Sequence, residues 1–103
     1  AMNQIEHCRR LLAAEAAARR SALRLAVRTR QGHIDRLMGI GVGQEAAECH
    51  AQPGREAVLS LDARLIRVER AIEELDYMAQ KCPDRLENDP ELVQKILRRA
   101  GIY

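Results

Sequence analysis

The stretch VLSLDARLIRVERAIEELDYMAQKC, residues 58–82, determines the fold class of this chain. Apolar residues occupy every a and d position of a heptad along it, which predicts a helix with a continuous apolar seam. These positions are Val58, Leu61, Leu65, Val68, Ile72, Leu75, Ala79 and Cys82. Because Leu59, Ile66 and Met78 lie beside the seam and widen it, we expect the helix to pack against two or more neighbours.

A second long helix is predicted over residues 3–38. Asn3 with Glu6 three positions later matches a capping box, which marks a helix N-terminus. Apolar residues then recur at intervals of eleven, close to the period of a straight helix. They are Ile5, Leu12, Ala16, Leu23, Val27, Ile34 and Met38. Gly32 is the one weak helix former in the pattern, and it marks either a bend or a close backbone contact.

Glycines and prolines separate these helices and delimit a third. Residues 39–54 form a glycine-rich connection, in which Gln44–His50 has room for two helical turns. Residues 55–82 form the second long helix, which Pro83 ends. A short helix over residues 89–100 follows from its caps, which are Asp89 as N-cap, Pro90 at the first helical position and Gly101 at the C-terminal end.

We therefore predict an all-α fold, with residues 1–103 as a single helical domain. Two long helices joined by a short connection most simply form an antiparallel, coiled-coil-like hairpin, which the short C-terminal helix extends. A lone hairpin leaves much of its apolar stripes in water, so we expect self-association into a helical bundle, with a homodimer as the simplest form. The absence of Trp and Phe argues against a sandwich, a barrel or an α/β fold.

The charge distribution is uneven although the formal net charge is only +2. Residues 1–36 hold eight arginines against three acidic residues. Asp62, Glu69 and Asp76 recur at intervals of seven along one edge of the seam. If the chain folds about the middle of residues 39–54, these acids meet three arginines in the same order, namely Arg30, Arg24 and Arg19. Exposed pairs of this kind set the register of a hairpin more than its stability.

The candidate metal ligands do not form a recognisable site. His7-Cys8 and Cys49-His50 lack the ligand spacing of structural zinc sites, and the hairpin separates the two pairs. A site from His33, Cys49 and His50 stays geometrically possible, but packed or solvated side chains are the simpler interpretation. We expect no metal, no cofactor and no catalytic residues, because no Ser or Cys has a recognisable base and orienting acid beside it.

Apolar residues near the glycine-rich connection are the candidate partner-binding residues. Leu37, Met38, Ile40 and Val42 either dock a partner from the tip of the hairpin or tuck under the turn. The alternating glycines of this segment resemble a phosphate-binding loop only superficially. A P-loop needs a following Lys with Ser or Thr, which the chain lacks there.

These features lead us to expect a non-enzymatic protein–protein interaction module, an assembly adaptor or small helical chaperone that binds itself and one further protein. The alternative is a nucleic-acid-binding regulator that uses its arginine-rich first helix. The phosphate contacts would then come from Arg9, Arg10, Arg20 and Arg28. An odd number of scattered cysteines fits reduced thiols in the cytoplasm. The sequence contains no run of about 18 apolar residues, so we predict no membrane span.

Overall fold

The computed structural model describes residues 3–103 and confirms the predicted all-α hairpin. Within these residues the structure has five helices and no strand. The helices are α1 (Gln4–Gly39), α2 (Gln44–His50), α3 (Gln52–Lys81), α4 (Pro83–Asn88) and α5 (Pro90–Arg99). Helix α1 packs against α3 as a hairpin, and α5 is the short C-terminal helix. Residues 1 and 2 of the predicted domain lie outside the described residues.

The chain divides into two compact units, and both long helices contribute to each of them. Unit 1 consists of residues 3–19 and Arg64–Tyr103, and unit 2 is Arg20–Ala63. Unit 1 therefore holds the first part of α1, the later part of α3, and the whole of α4 and α5. Unit 2 holds the rest of α1, all of α2 and the beginning of α3.

Unit 1 has a layered apolar core. Leu12, Leu75 and Ile96, which come from α1, α3 and α5, are all fully buried in one cluster. The buried side chains that complete this cluster are Cys8, Ala16, Val68, Ala71, Leu86, Val93, Leu97 and Ala100. Fully burying one leucine, isoleucine or valine side chain stabilises the folded state by about 1.5–3 kcal/mol. The face of α1 and α3 in unit 1 is therefore covered by helices of the same chain.

The Asn3 N-cap of α1 and both caps of α5 form as the sequence predicts. The Asn3 side chain accepts a hydrogen bond from the Glu6 backbone N–H at 2.8 Å. Asp89 accepts from the N–H groups of Glu91 and Leu92 at 3.1 and 3.3 Å. At the other end of α5, Gly101 has a left-handed φ of +79°. The N–H of Ile102 then donates to the Leu97 carbonyl at 3.0 Å, which completes a Schellman motif.

Helix α4 is an element that the sequence reading missed. Pro83 ends α3 at Lys81, and Cys82 then adopts a non-helical backbone (φ −145°, ψ 61°) before Pro83 begins α4. Leu86 is fully buried in the unit 1 core. The Glu87 carboxylate accepts a hydrogen bond from the Ile5 N–H at 3.2 Å. This short helix therefore covers and caps the beginning of α1.

The turn after α1 follows from Gly41. Its φ of +95° is the left-handed conformation that glycine adopts without strain. The N–H of Val42 donates to the Leu37 carbonyl at 3.0 Å, and that of Gly41 donates to the Met38 carbonyl at 3.1 Å. These two hydrogen bonds define a second Schellman motif. Leu37 and Val42 meet as its apolar contact and pack on the small unit 2 core of Ile34, Ala47 and Ala51.

The predicted ion-pair register was wrong. Asp76 pairs with Arg9 at 3.1 Å and not with Arg19. In unit 2, Gly54 lies against the Arg30 side chain, with 3.4 Å between the Cβ position of Gly54 and the Cβ of Arg30. The midpoint in sequence of each contacting pair, Arg9 with Asp76 and Arg30 with Gly54, falls near Val42. The chain therefore turns immediately after α1. Helix α2 consequently belongs to the returning arm, and α3 begins at Gln52 and not at residue 55.

Replacing Gly32 with alanine is expected to stabilise the protein by about 0.5–1 kcal/mol. Gly32 lies inside α1, and a Cβ there would have only the flexible end of Arg36 within 4 Å, at 3.6 Å. Alanine restricts the unfolded chain and costs no packing at this position. Thermal unfolding measured by circular dichroism checks this. A lower midpoint for Gly32→Ala than for the unsubstituted chain would contradict it.

Candidate protein-interaction surface

Unit 2 carries an apolar groove. It runs between α1 and the start of α3, with the end of α2 beside it, and its volume is about 610 Å³. The groove lining consists of Ala22, Leu25, Ala26, Thr29, Arg30, His33, His50, Ala51, Pro53, Gly54, Ala57 and Leu61. Its volume lies in the range of pockets that bury apolar ligands. We call this surface the unit 2 groove.

Small side chains create the unit 2 groove. Ala22 and Ala26 lie one turn apart on α1, and Ala57 faces them from α3. A Cβ added to Gly54 would lie 3.4 Å from the Cβ of Arg30, so α3 packs closely against α1 beside the groove. Leu25 stands beside the alanines with 63% of its surface exposed. The result is a hollow of apolar atoms bordered by an exposed aliphatic side chain.

The helix pair of unit 2 has a second apolar surface. Val27, Val58 and Leu59 line a smaller hollow of about 290 Å³, together with Arg30, Gln31 and Arg55. Val27 is 48% exposed and Leu59 is 57% exposed. The cluster of unit 2 buries only Ile34, Ala47 and Ala51, and the exposed aliphatic residues of this unit include Leu25, Val27 and Leu59. We call the surface around Val27, Val58 and Leu59 the valine face.

The residues predicted as an oligomer or hairpin seam differ in burial between the two units. Leu65, Val68 and Leu75 are buried in unit 1. Val58 and Leu61 in unit 2, like Ile72 in unit 1, are only half-buried. The difference follows from the covering helices, because α4 and α5 both belong to unit 1. The participation of the half-buried positions in self-association stays a prediction.

The four predicted partner-binding residues divide into two pairs. Leu37 and Val42 pack under the turn. Met38 and Ile40 point outward, and they are 44% and 78% exposed. The apolar contact of the Schellman motif explains why Leu37 and Val42 are covered. Met38 and Ile40 remain exposed near the turn.

Arg19 is a buried charged residue that the sequence reading placed on the solvent side. It is 7% exposed and bonds to the Glu15 carboxylate through Nε at 2.9 Å. Its Nη1 donates to the backbone carbonyls of Arg64 at 2.8 Å and Ala100 at 2.6 Å. The guanidinium therefore joins α1, α3 and the C-terminal end of α5. A planar group with five fixed donors suits this role better than an ammonium group.

The predicted phosphate-contact residues are all exposed, as Arg10 and Arg28 illustrate. Arg9 is already paired with Asp76 in unit 1. In unit 2, Arg20, Arg24 and Arg28 recur every four residues along α1 and share one side of the helix. That side is opposite the face that Ala22 and Ala26 present to the unit 2 groove.

The histidines and cysteines take different places. His33 and His50 both line the unit 2 groove, whereas Cys49 is an exposed free thiol. Across residues 3–103, no three His, Cys, Asp or Glu side chains are grouped closely enough to hold a metal ion. His33 and His50, with Thr29 and Arg30, therefore contribute the hydrogen-bonding side chains of a mostly apolar groove.

We expect the three thiols to react with iodoacetamide in the order Cys49, Cys82, Cys8. Cys49 is exposed, Cys82 is half-buried and Cys8 is buried. Burial raises the pKa of the Cys8 thiol above its usual 9.0, and the neighbouring Arg9 only partly opposes this. The thiolate is the reactive form of cysteine. Cys8 therefore reacts slowly for two reasons, because the reagent has little access to it and because its raised pKa leaves less thiolate. Peptide mapping by mass spectrometry checks the order, and modification of Cys8 before Cys49 would contradict it.

Comparison of the chain with protein-family models, with curated proteins and with solved structures finds no match. The membrane prediction agrees with the described residues, among which no helix combines the length and the apolar character that crossing a bilayer requires.

Proposed function

We propose that this chain is a non-enzymatic protein-interaction module, an assembly adaptor or small helical chaperone that forms a homodimer and acts by contact with another protein. The observation that carries the proposal is the uncovered apolar surface of unit 2. Unit 1 covers the same pair of helices with α4 and α5, whereas in unit 2 the groove and the valine face lie open. The three free thiols favour a cytoplasmic location.

The two open surfaces of unit 2 suggest a division of labour. The valine face carries two exposed aliphatic residues, Val27 and Leu59, on neighbouring helices. Self-association through it would give a two-fold interface in which the same residues of both copies meet. The alanine-lined part of the unit 2 groove would then stay free for the other protein, and Arg30 lines both hollows. Large exposed apolar surfaces on a folded chain are typical of such interaction sites.

Self-association through the valine face is tested by the mass of the chain in solution. We expect light scattering to give a dimer at tens of micromolar, and Leu59→Asp to give a monomer, because a carboxylate would have to be buried in the interface. Ser60→Asp is the matched control, since Ser60 is exposed in unit 2 and does not line the valine face. A wild-type monomer at every concentration would remove the homodimer from the proposal.

A nucleic-acid-binding regulator remains a second candidate because of the exposed stripe Arg20, Arg24 and Arg28. Such a stripe would contact phosphates, and each neutralised phosphate makes binding more sensitive to salt. Fluorescence anisotropy with a labelled duplex at several salt concentrations separates the two functions. An affinity that falls steeply with salt, and that Arg28→Gln lowers further, favours the regulator. Binding that is absent or independent of salt favours the adaptor.

A further inference from the structure

The unit 2 groove has a mostly apolar lining with three basic residues. Its only titratable residues are Arg30, His33 and His50, and no acidic residue lines it. The Nε of Arg30 is buried without a hydrogen-bond partner among the described residues. An unpaired buried N–H is unfavourable, so the Arg30 guanidinium is not fully satisfied by the described residues. The groove is therefore complementary to an apolar group with a negative end.

Unit 1 shows what kind of group satisfies such an arginine. Arg19 precedes Arg30 by eleven residues, three turns of α1, so the two lie on the same side of the helix. Arg19 donates to the Ala100 carbonyl at the C-terminal end of α5. The same spacing relates Leu11, which packs on the unit 1 core, to Ala22 in the groove. Unit 2 repeats the arginine but replaces the leucine with a smaller residue, and it has no α5.

Helix α5 shows which pattern of apolar residues packs against α1 and α3 in unit 1. It is short, and its buried residues Val93, Ile96 and Leu97 follow the i, i+3, i+4 pattern of one helix face. Its C-terminal carbonyls carry the negative end of the helix macrodipole, equivalent to about half an elementary charge. In unit 1 that end meets the Arg19 guanidinium at 2.6 Å.

We propose that the unit 2 groove binds a short amphipathic helix of a partner protein, with its C-terminal end at Arg30. The helix presents aliphatic residues at i, i+3 and i+4 to the groove, and its last carbonyl oxygens accept from Arg30 as the Ala100 carbonyl accepts from Arg19. It runs parallel to α1, because Arg30, His33 and His50 lie at one end of the groove and Ala22 and Leu61 lie at the other. This inference rests on the proposed function and names the class of partner.

The probe is a displayed library of 16-residue helical peptides selected against the full chain. Selected peptides are expected to share aliphatic residues at i, i+3 and i+4. For a synthetic peptide of the selected sequence, we expect Arg30→Met to weaken binding at least tenfold in fluorescence anisotropy. Ala57→Gln, which fills the groove, should do the same. Arg24→Met is the matched control and should change the affinity less than twofold, because Arg24 is exposed on α1 and does not line the groove.

The direction of the bound helix is tested through the exposed thiol of Cys49, which precedes His50 at the basic end of the groove. A peptide cysteine activated as its 2-pyridyl disulfide and placed after the last residue is expected to exchange with the Cys49 thiolate, releasing pyridine-2-thione, faster than one placed before the first residue. The reverse preference would overturn the proposed direction.

Two other results would overturn the site itself. The first is a library that yields no binder, or binders that Arg30→Met and Ala57→Gln leave unchanged. The second is a homodimer that Ala57→Gln dissociates and Leu59→Asp does not, because a second copy would then occupy the groove. A dimer that survives Ala57→Gln while no peptide binds would reject the helix site and leave the self-association part of the proposed function standing.

Discussion

Replacing Arg19 with methionine is expected to lower the free energy of unfolding by about 3 kcal/mol. Methionine keeps much of the apolar stem but provides no donor for the carbonyls of Arg64 and Ala100, which Arg19 now bonds at 2.8 and 2.6 Å. The C-terminal end of α5 then loses its tie to α1. Urea unfolding followed by circular dichroism, at one low protein concentration, measures the change.

Two further variants keep the Arg19 prediction specific. Arg10→Met is the matched control, because Arg10 is an exposed arginine of α1 in the same unit. We expect its effect to stay within about 0.5 kcal/mol. Arg19→Lys retains the charge but loses the planar fork of donors, so it should fall between the two. A loss below about 1 kcal/mol for Arg19→Met would show that the three-helix contact contributes little.

Replacing Leu75 with alanine is expected to be about as damaging, at roughly 3 kcal/mol. Leu75 is fully buried at the centre of the unit 1 core, and its truncation leaves a cavity that rigid helices close only in part. Leu59→Ala makes the same chemical change in the same helix at a residue that is 57% exposed. Its cost in the monomer should be below about 1 kcal/mol.

The leucine comparison uses the same urea titration below the concentration at which the chain associates. Equal losses for Leu75→Ala and Leu59→Ala would contradict the division of the chain into a covered and an uncovered unit. Such a result would mean that Leu59 is as well buried in solution as Leu75.

The sequence predicted the helices well because their ends carry local chemical signals. Asn3, Asp89 and Gly101 each act through hydrogen bonds within a few residues, so no knowledge of distant contacts is needed. The continuous apolar heptads likewise depend only on residues along one helix. Helix α4 was missed because six residues give too little periodicity, although Pro83 at its first position was a usable signal.

The register and the site were harder to predict because they depend on contacts between distant residues. Exposed ion pairs are weak, so evenly spaced acids and arginines fit several registers almost equally well. The turn at Gly41 fixed the register instead. The burial of Arg19 could not be predicted from charge alone. Its spacing of eleven from Arg30, which coincides with the period of the apolar stripe in α1, was a signal that could have linked the two arginines.

Native-state hydrogen exchange, measured residue by residue at increasing protein concentration, tests most directly whether unit 2 is completed by another molecule. In dilute solution, amides of α1 in unit 2 should exchange faster than those near Leu12 in unit 1. Raising the concentration should slow exchange around Val27 and Leu59, and adding a selected peptide should slow it around Ala26 and Ala57. Equal protection of both units at every concentration, unchanged by peptide, would contradict the account.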